Sequence, residues 1–181
     1  MKLTRTLATM ALAFFAMACG DDDSTGPNNS GRFTGTLKIT GQQDVALKGV
    51  ALHADSIDEE GAGFGIGLGA DSTAHSTIVF YRAKEGVPTA KAYTLHDLTG
   101  EADPANDAFV AVAVTHSNDD AKTALCVSKA GTLTITSASS TKMKGTFNLT
   151  ATCTKLTGGA PYTSTLSGTF DSKKGSVEIP D

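Results

Sequence analysis

The sequence predicts an all-β domain, an antiparallel β-sandwich with a closed β-barrel as the alternative. Three observations lead there. From Arg32 onward the apolar residues recur with a period of two, the signature of half-buried strands. Turn-forming clusters interrupt that pattern at short intervals, and no segment has the periodicity of an amphipathic helix longer than two turns. The composition is light, with 19 Gly, no Trp and abundant Thr and Ser. Thr and Val suit a pleated surface, and Gly supplies turns. Short strands without helices can bury their apolar faces only against one another. A sandwich does so across two inner faces about 10 Å apart.

The first strand is read from Phe33, Leu37 and Ile39, which alternate with Thr34, Thr36, Lys38 and Thr40. Val45 and Leu47, then Val50 and Leu52, alternate on either side of Gly49, where the phase slips. A glycine at a phase slip predicts a β-bulge. Phe64, Ile66 and Leu68 are interleaved with Gly63, Gly65, Gly67 and Gly69, and Ile78 and Phe80 oppose Thr77, Val79 and Tyr81. Further strands are expected at residues 92–95, 109–115, 132–136, 146–152, 163–170 and 176–179. Lys84-Glu85-Gly86, Asp103-Pro104, Asn118-Asp119-Asp120, Thr157-Gly158-Gly159 and Lys173-Lys174-Gly175 mark turns between them. A short unit recurs: Gly35-Thr36-Leu37, Gly131-Thr132-Leu133, Gly145-Thr146-Phe147 and Gly168-Thr169-Phe170. Its spacing is too irregular for a solenoid. It reads as Gly relieving crowding, Thr facing solvent, and Leu or Phe entering the core.

The N-terminus follows a different grammar. Lys2 and Arg5 precede an apolar stretch from Leu7 to Ala18 interrupted only by Thr9. That run is too short for a membrane span, which needs roughly 20 residues, and has the form of a secretory signal peptide. It ends in Ala16-Met17-Ala18-Cys19, which resembles the lipobox of bacterial lipoproteins. The resemblance implies diacylation of the Cys19 thiol and cleavage before it. Leu is more usual in that family where Ala16 stands. Gly20 follows the cysteine; the family's sorting rule keeps proteins with Asp there in the inner membrane. Residues 20–31 hold no hydrophobic side chain and read as a solvated linker. Asp21, Asp22 and Asp23 are read as part of that linker rather than as a calcium cluster. The expected organisation is therefore signal peptide 1–18, lipidated tether 19–31 and one β-rich domain 32–181.

The tether and the order of Val87-Pro88, Ala92-Tyr93-Thr94-Leu95, Gly131–Thr136, Lys144–Phe147 and Ser167–Phe170 together resemble a group of uncharacterised bacterial lipoproteins. That resemblance implies an envelope location and a β fold, and supplies no catalytic residues. The expected place is the outer membrane of a diderm bacterium, with the outer face of the cytoplasmic membrane as the alternative. The net charge is −4, and losing Lys2 and Arg5 with the signal peptide makes it −6. An acidic domain without clustered Lys and Arg is a poor nucleic-acid binder and adheres weakly to anionic membranes. The membrane partner is thus reached through lipid on Cys19.

With Cys19 assigned to lipid, Cys126 and Cys153 remain as an even pair in an oxidising compartment, and a disulfide is predicted. Their spacing is far from Cys-x-x-Cys, which argues against redox or zinc chemistry. His53, His75, His96 and His116 show no i, i+2 or i, i+4 pairing of a metal site. Asp55, Asp58, Glu59 and Glu60 lack EF-hand spacing and read as a solvated turn, as do Asp103, Asn106 and Asp107. No serine lies in Gly-x-Ser-x-Gly. The Gly63–Gly69 run lacks the Gly-Lys-Ser/Thr of a phosphate loop, and reads as tight sheet packing or, functionally, as a flat strip for a ligand. No catalytic residue, metal or cofactor is assigned. The expectation is a non-enzymatic binding or structural module. Its rivals are a hydrolase with a spatially assembled site and a barrel carrying a hydrophobic ligand.

Overall fold

The computed structural model describes residues 31–39, 44–58, 61–70, 76–100, 102–105, 107–115 and 123–175. Within them lie nine strands and no helix: β1 (Gly31–Ile39), β2 (Val45–Asp58), β3 (Gly61–Ala70), β4 (Ser76–Arg82), β5 (Ala92–Thr94), β6 (Val110–Thr115), β7 (Ala124–Ala138), β8 (Lys142–Lys155) and β9 (Tyr162–Lys174). The expected strand at residues 176–179 falls outside the described residues.

Eight of the strands close a barrel. Each of β1, β2, β3, β4, β6, β7, β8 and β9 pairs antiparallel with the next, and β9 pairs back onto β1 from Arg32↔Asp171 to Ile39↔Ser164. The expected β-sandwich is corrected by this closure, and the barrel alternative is the architecture observed. Sandwich and barrel demand the same in–out alternation within a strand. They differ in whether the first and last strands meet, which no single segment encodes. Beyond the start of β1, β2 and β9 come together directly in a short parallel pairing at Leu52↔Lys173 and His53↔Lys174.

β5 extends the wall beside β6. It pairs with β7 at residues 132–134, while β6 pairs with β7 at residues 124–127. Between them the chain leaves the wall at His96 and returns at Phe109. Ser128, fully buried, patches this gap: its Oγ accepts from the Ala111 amide at 3.2 Å and donates to the His96 carbonyl at 2.6 Å. A register shift in β7 follows directly, between Ser128 and Ala130, and a second lies between Ile135 and Ser137. Bulges therefore fall in β7, not at Gly49. The β1–β2 register runs unbroken through Phe33↔Gly49, so Leu47, Gly49 and Ala51 face inward while Val50 and Leu52 lie on the half-buried outer face. The apparent phase slip arose from taking these outer apolar residues as core.

The interior is one hydrophobic cluster drawn from every strand. Phe33, Phe64, Phe80, Phe109, Ile66, Leu68, Ile78, Leu133, Ile135, Met143, Leu149 and Leu166 are its largest fully buried side chains. The Gly-Thr-Phe units of β8 and β9 lie antiparallel in matched register: Gly145↔Phe170, Thr146↔Thr169, Phe147↔Gly168. Each inward glycine is the space that the partner's phenyl ring occupies. A Cβ on Gly145 would come 2.7 Å from the Phe170 ring and 2.4 Å from the Thr134 carbonyl oxygen. One on Gly168 would come 3.0 Å from the Phe147 ring and 2.3 Å from the Thr34 carbonyl oxygen. The threonines between them, Thr146 and Thr169, are exposed.

Cys126 and Cys153 are directly paired across β7 and β8, with Cα atoms 4.0 Å apart, and form a disulfide. Cys153 Sγ lies 3.0 Å from Ser164 Oγ. A disulfide sulfur carries no hydrogen, so Ser164 donates.

Two outcomes test this packing. Gly145→Val should destabilise the domain by overpacking, by about 1–3 kcal/mol or more. Thr146→Val, on the exposed face beside it, should stay within about 0.5 kcal/mol of wild type in urea unfolding. Equal effects of the two would contradict the reciprocal packing. Cys126→Ala with Cys153→Ala should cost about 3–4 kcal/mol by the chain-entropy account, read by the same unfolding curves.

Candidate functional site

The alternation of β4 carries Ile78, Phe80 and then Arg82 into the barrel. The inner face thus ends in a cation at the rim where β2, β4 and β9 finish and β1, β3 and β8 begin. Arg82 is only 5% exposed. Its guanidinium carbon lies 5.7 Å from the Phe64 ring centroid and 5.5 Å from that of Phe109. Phe109 meets Tyr93 edge-on at 5.1 Å, and Lys91 Nζ lies 4.7 Å from the Tyr93 ring. Desolvated cation–π contacts of this kind are worth about 2 kcal/mol, partly offsetting the cost of taking a guanidinium out of water. Burial still lowers the pKa of Arg82, while Tyr93, Asp107 and Asp55 act in the opposite sense.

Residues 83–91 connect β4 to β5 as a strap across this rim. Gly86, at φ +77°, adopts a left-handed conformation that suits glycine. Its carbonyl accepts from Arg82 Nη2 at 2.5 Å, and its amide donates to Asp55 Oδ1 on β2 at 3.2 Å. Val87 packs against the core, and Pro88 is buried behind it. One side chain of β4 and one of β2 therefore pin the strap at a single residue. Arg82 Nε is buried without a hydrogen-bond partner.

His53 lies on the other side of Phe64 in strand order, its ring stacked on Phe64 at 5.9 Å. Its Nδ1 is 2.9 Å from Ser172 Oγ, which in turn donates to the Met143 carbonyl at 3.3 Å. A carbonyl can only accept, so the Ser172 proton goes there and Nδ1–H of His53 donates to Ser172. Neutral His53 then presents a bare Nε2, buried without a partner. Desolvation lowers the pKa of His53. The Ser140 carbonyl and the Asp55 carboxylate favour protonation less strongly, and Lys174 opposes it.

The other expected site residues do not join this cluster. His96, outside the barrel wall, has its Nε2 2.8 Å from the Ala102 carbonyl oxygen. Cys19, His75, His116, Glu59, Glu60 and Asn106 lie outside the described residues. Asp103 and Asp107 are exposed, and Asp55 is drawn into the strap. Among the described residues no group of three or more His, Cys, Asp and Glu is arranged to hold a metal. The glycine run of β3 is covered rather than open: a Cβ on Gly63 would meet the Tyr81 hydroxyl at 2.5 Å. Tyr81 itself packs with Val110, Val112, Leu98 and Val127. Sequence reasoning missed Arg82. The signal was there, since it occupies the next inward position after Ile78 and Phe80.

No protein-family model matches the chain, and neither does any curated protein or solved structure.

His53 makes a prediction with a defined sign. Its folded pKa lies below the ordinary value of 6.5, so the unfolded chain binds the proton more readily. Stability should fall as pH drops below 6.5 toward the folded pKa, and level off beneath it. His53→Gln should remove that component. Urea-unfolding free energies measured at neutral and mildly acidic pH should show a shallower slope in the variant; parallel slopes would count against a buried neutral His53.

Proposed function

We propose that the chain is a lipid-anchored bacterial envelope protein whose barrel serves as a non-enzymatic binding or structural module. The observation that carries the location is the Cys126–Cys153 disulfide, which belongs to an oxidising compartment and agrees with an exported chain. The anchor itself rests on Ala16-Met17-Ala18-Cys19 and the linker after it. With Gly20 after the cysteine, the outer membrane of a diderm cell is the preferred site, and the outer face of the cytoplasmic membrane is the alternative.

The barrel wall supports attachment by lipid rather than by insertion. In β8 the buried positions Met143, Phe147, Leu149 and Ala151 alternate with exposed Lys142, Lys144, Thr146 and Asn148. A membrane-spanning barrel has the reverse arrangement, apolar outside and polar within.

Two rivals are weaker. A hydrolase would need a reachable nucleophile, yet the Ser172–His53 pair is buried and the serine hydroxyl is spent on a backbone carbonyl. A carrier of a hydrophobic ligand would need an interior void. Ile66, Leu68, Ile78, Phe80, Leu133, Leu149 and Leu166 have no accessible surface, so they border no space that admits water.

Anchoring is tested by labelled-palmitate incorporation in cells expressing wild type or Cys19→Ser. Label in the wild type, none in the variant, and a mature chain beginning at residue 19 are expected. An unlabelled wild type, or a native chain that keeps residues 1–18, would overturn the assignment.

A further inference from the structure

We propose that Arg82 is the recognition element of a carboxylate-binding site at the strap-covered mouth of the barrel. The argument begins with the geometry of guanidinium. Nε–H and one N–H of Nη2 project in parallel from the same edge, a fork that matches the two oxygens of a carboxylate. In this barrel Nη2 donates one of its two hydrogens to the Gly86 carbonyl, and Nε–H has no partner.

The groups in direct contact with the guanidinium are uncharged. Phe64 and Phe109 contact the guanidinium and contribute no opposing charge. Two carboxylates, Asp107 and Asp55, act on the guanidinium from a distance, and Asp55 spends Oδ1 on the Gly86 amide. Among the described residues no Asp or Glu forms an ion pair with Arg82. A buried cation in that condition gains most from an anion that reaches it, because the low dielectric strengthens the pair. Tyr93 lies edge-on to Phe109, with Lys91 over its ring.

The strap is the competitor. Arg82 is almost wholly buried where it holds the strap through Gly86, so a carboxylate that reaches Nε and Nη2 must loosen the strap, and binding is coupled to strap release. The filled barrel admits no bulky tail, so the ligand is a small carboxylate that docks at the mouth. This deepens the binding-module reading and rests on it, but not on the lipid at Cys19. Anchoring is read by palmitate and binding at Arg82, so either can fail alone.

The test is nuclear magnetic resonance of the arginine Nε–H groups in the full chain. It holds three arginines, Arg5, Arg32 and Arg82, and Arg82→Lys assigns the signal of interest. Titration with sodium benzoate should move the Arg82 signal saturably downfield, together with the Gly86 amide, and leave Arg32 unmoved. Asp55→Asn weakens the strap's other pin and leaves the guanidinium intact. It should tighten benzoate binding by about twofold to tenfold, the difference between a hydrogen bond to a charged acceptor and one to a neutral acceptor. An Arg82 signal that stays still, that follows sodium chloride equally, or that responds to inorganic phosphate as strongly as to benzoate would overturn the carboxylate site. Unchanged affinity in Asp55→Asn would overturn the competition with the strap.

Discussion

Everything in this barrel depends on fitting aromatic rings into a closed ring of eight strands. A barrel of this size has an interior just wide enough for side chains to fill. Each ring that enters must find an empty place on the strand beside it. Gly145 and Gly168 supply those places, and the antiparallel register sets each glycine against the other strand's phenylalanine. The same three residues, Gly-Thr-Phe, thus work as knob and socket at once. Phe33, opposite Phe170 on one side and Gly49 on the other, carries the arrangement across the β9–β1 seam. Closure and core packing are consequently the same event. The strands cannot be pulled apart at the seam without unseating the rings.

The individual strands were legible in the sequence because one-sided burial writes itself as alternation. Phe64, Ile66 and Leu68 of β3, and Met143, Phe147 and Leu149 of β8, face inward as the period of two requires. The pairing of Cys126 with Cys153 was legible from the cysteine count and the expectation of an oxidising compartment. Three features were not. Closure depends on β1 meeting β9, residues far apart in the chain. The phase of β2 misled because Val50 and Leu52 are apolar yet lie outside. The first half of β7, including Ser128, escaped because a serine bridging two interrupted strands looks like any polar residue until the Ala111 amide and His96 carbonyl are in place.

The candidate site breaks the rule that governs the rest of the interior. Most inward positions are apolar, but at the rim beside the strap they become His53 and Arg82. Burial of such groups costs free energy unless they are paired, and both retain a nitrogen without a partner. Hydrophobic residues of similar volume could fill these positions without that penalty. Violations of local consistency collect where a protein does something besides fold. Alternation reveals where they are, though not their geometry: the inward phase of Arg82 follows from Ile78 and Phe80, whereas its contact with Gly86 and the unpartnered Nε require the strap in position.

The direction of the chain ties this rim to the tether. β1 begins at Gly31, opposite Ala51 on β2 and just past Asp171 on β9, so the polypeptide enters the barrel at the end that the strap covers. Cys19 precedes Gly31 by twelve residues. A segment of that length spans at most about 40 Å. On the lipid-anchored reading, the end bearing Arg82 is therefore the end tied to the bilayer, while the β8–β9 hairpin with exposed Leu156 projects away from it. On that reading a ligand reaching Arg82 would pass between barrel and membrane. Tether and mouth would then be parts of one arrangement, in which the lipid sets which solutes meet the strap.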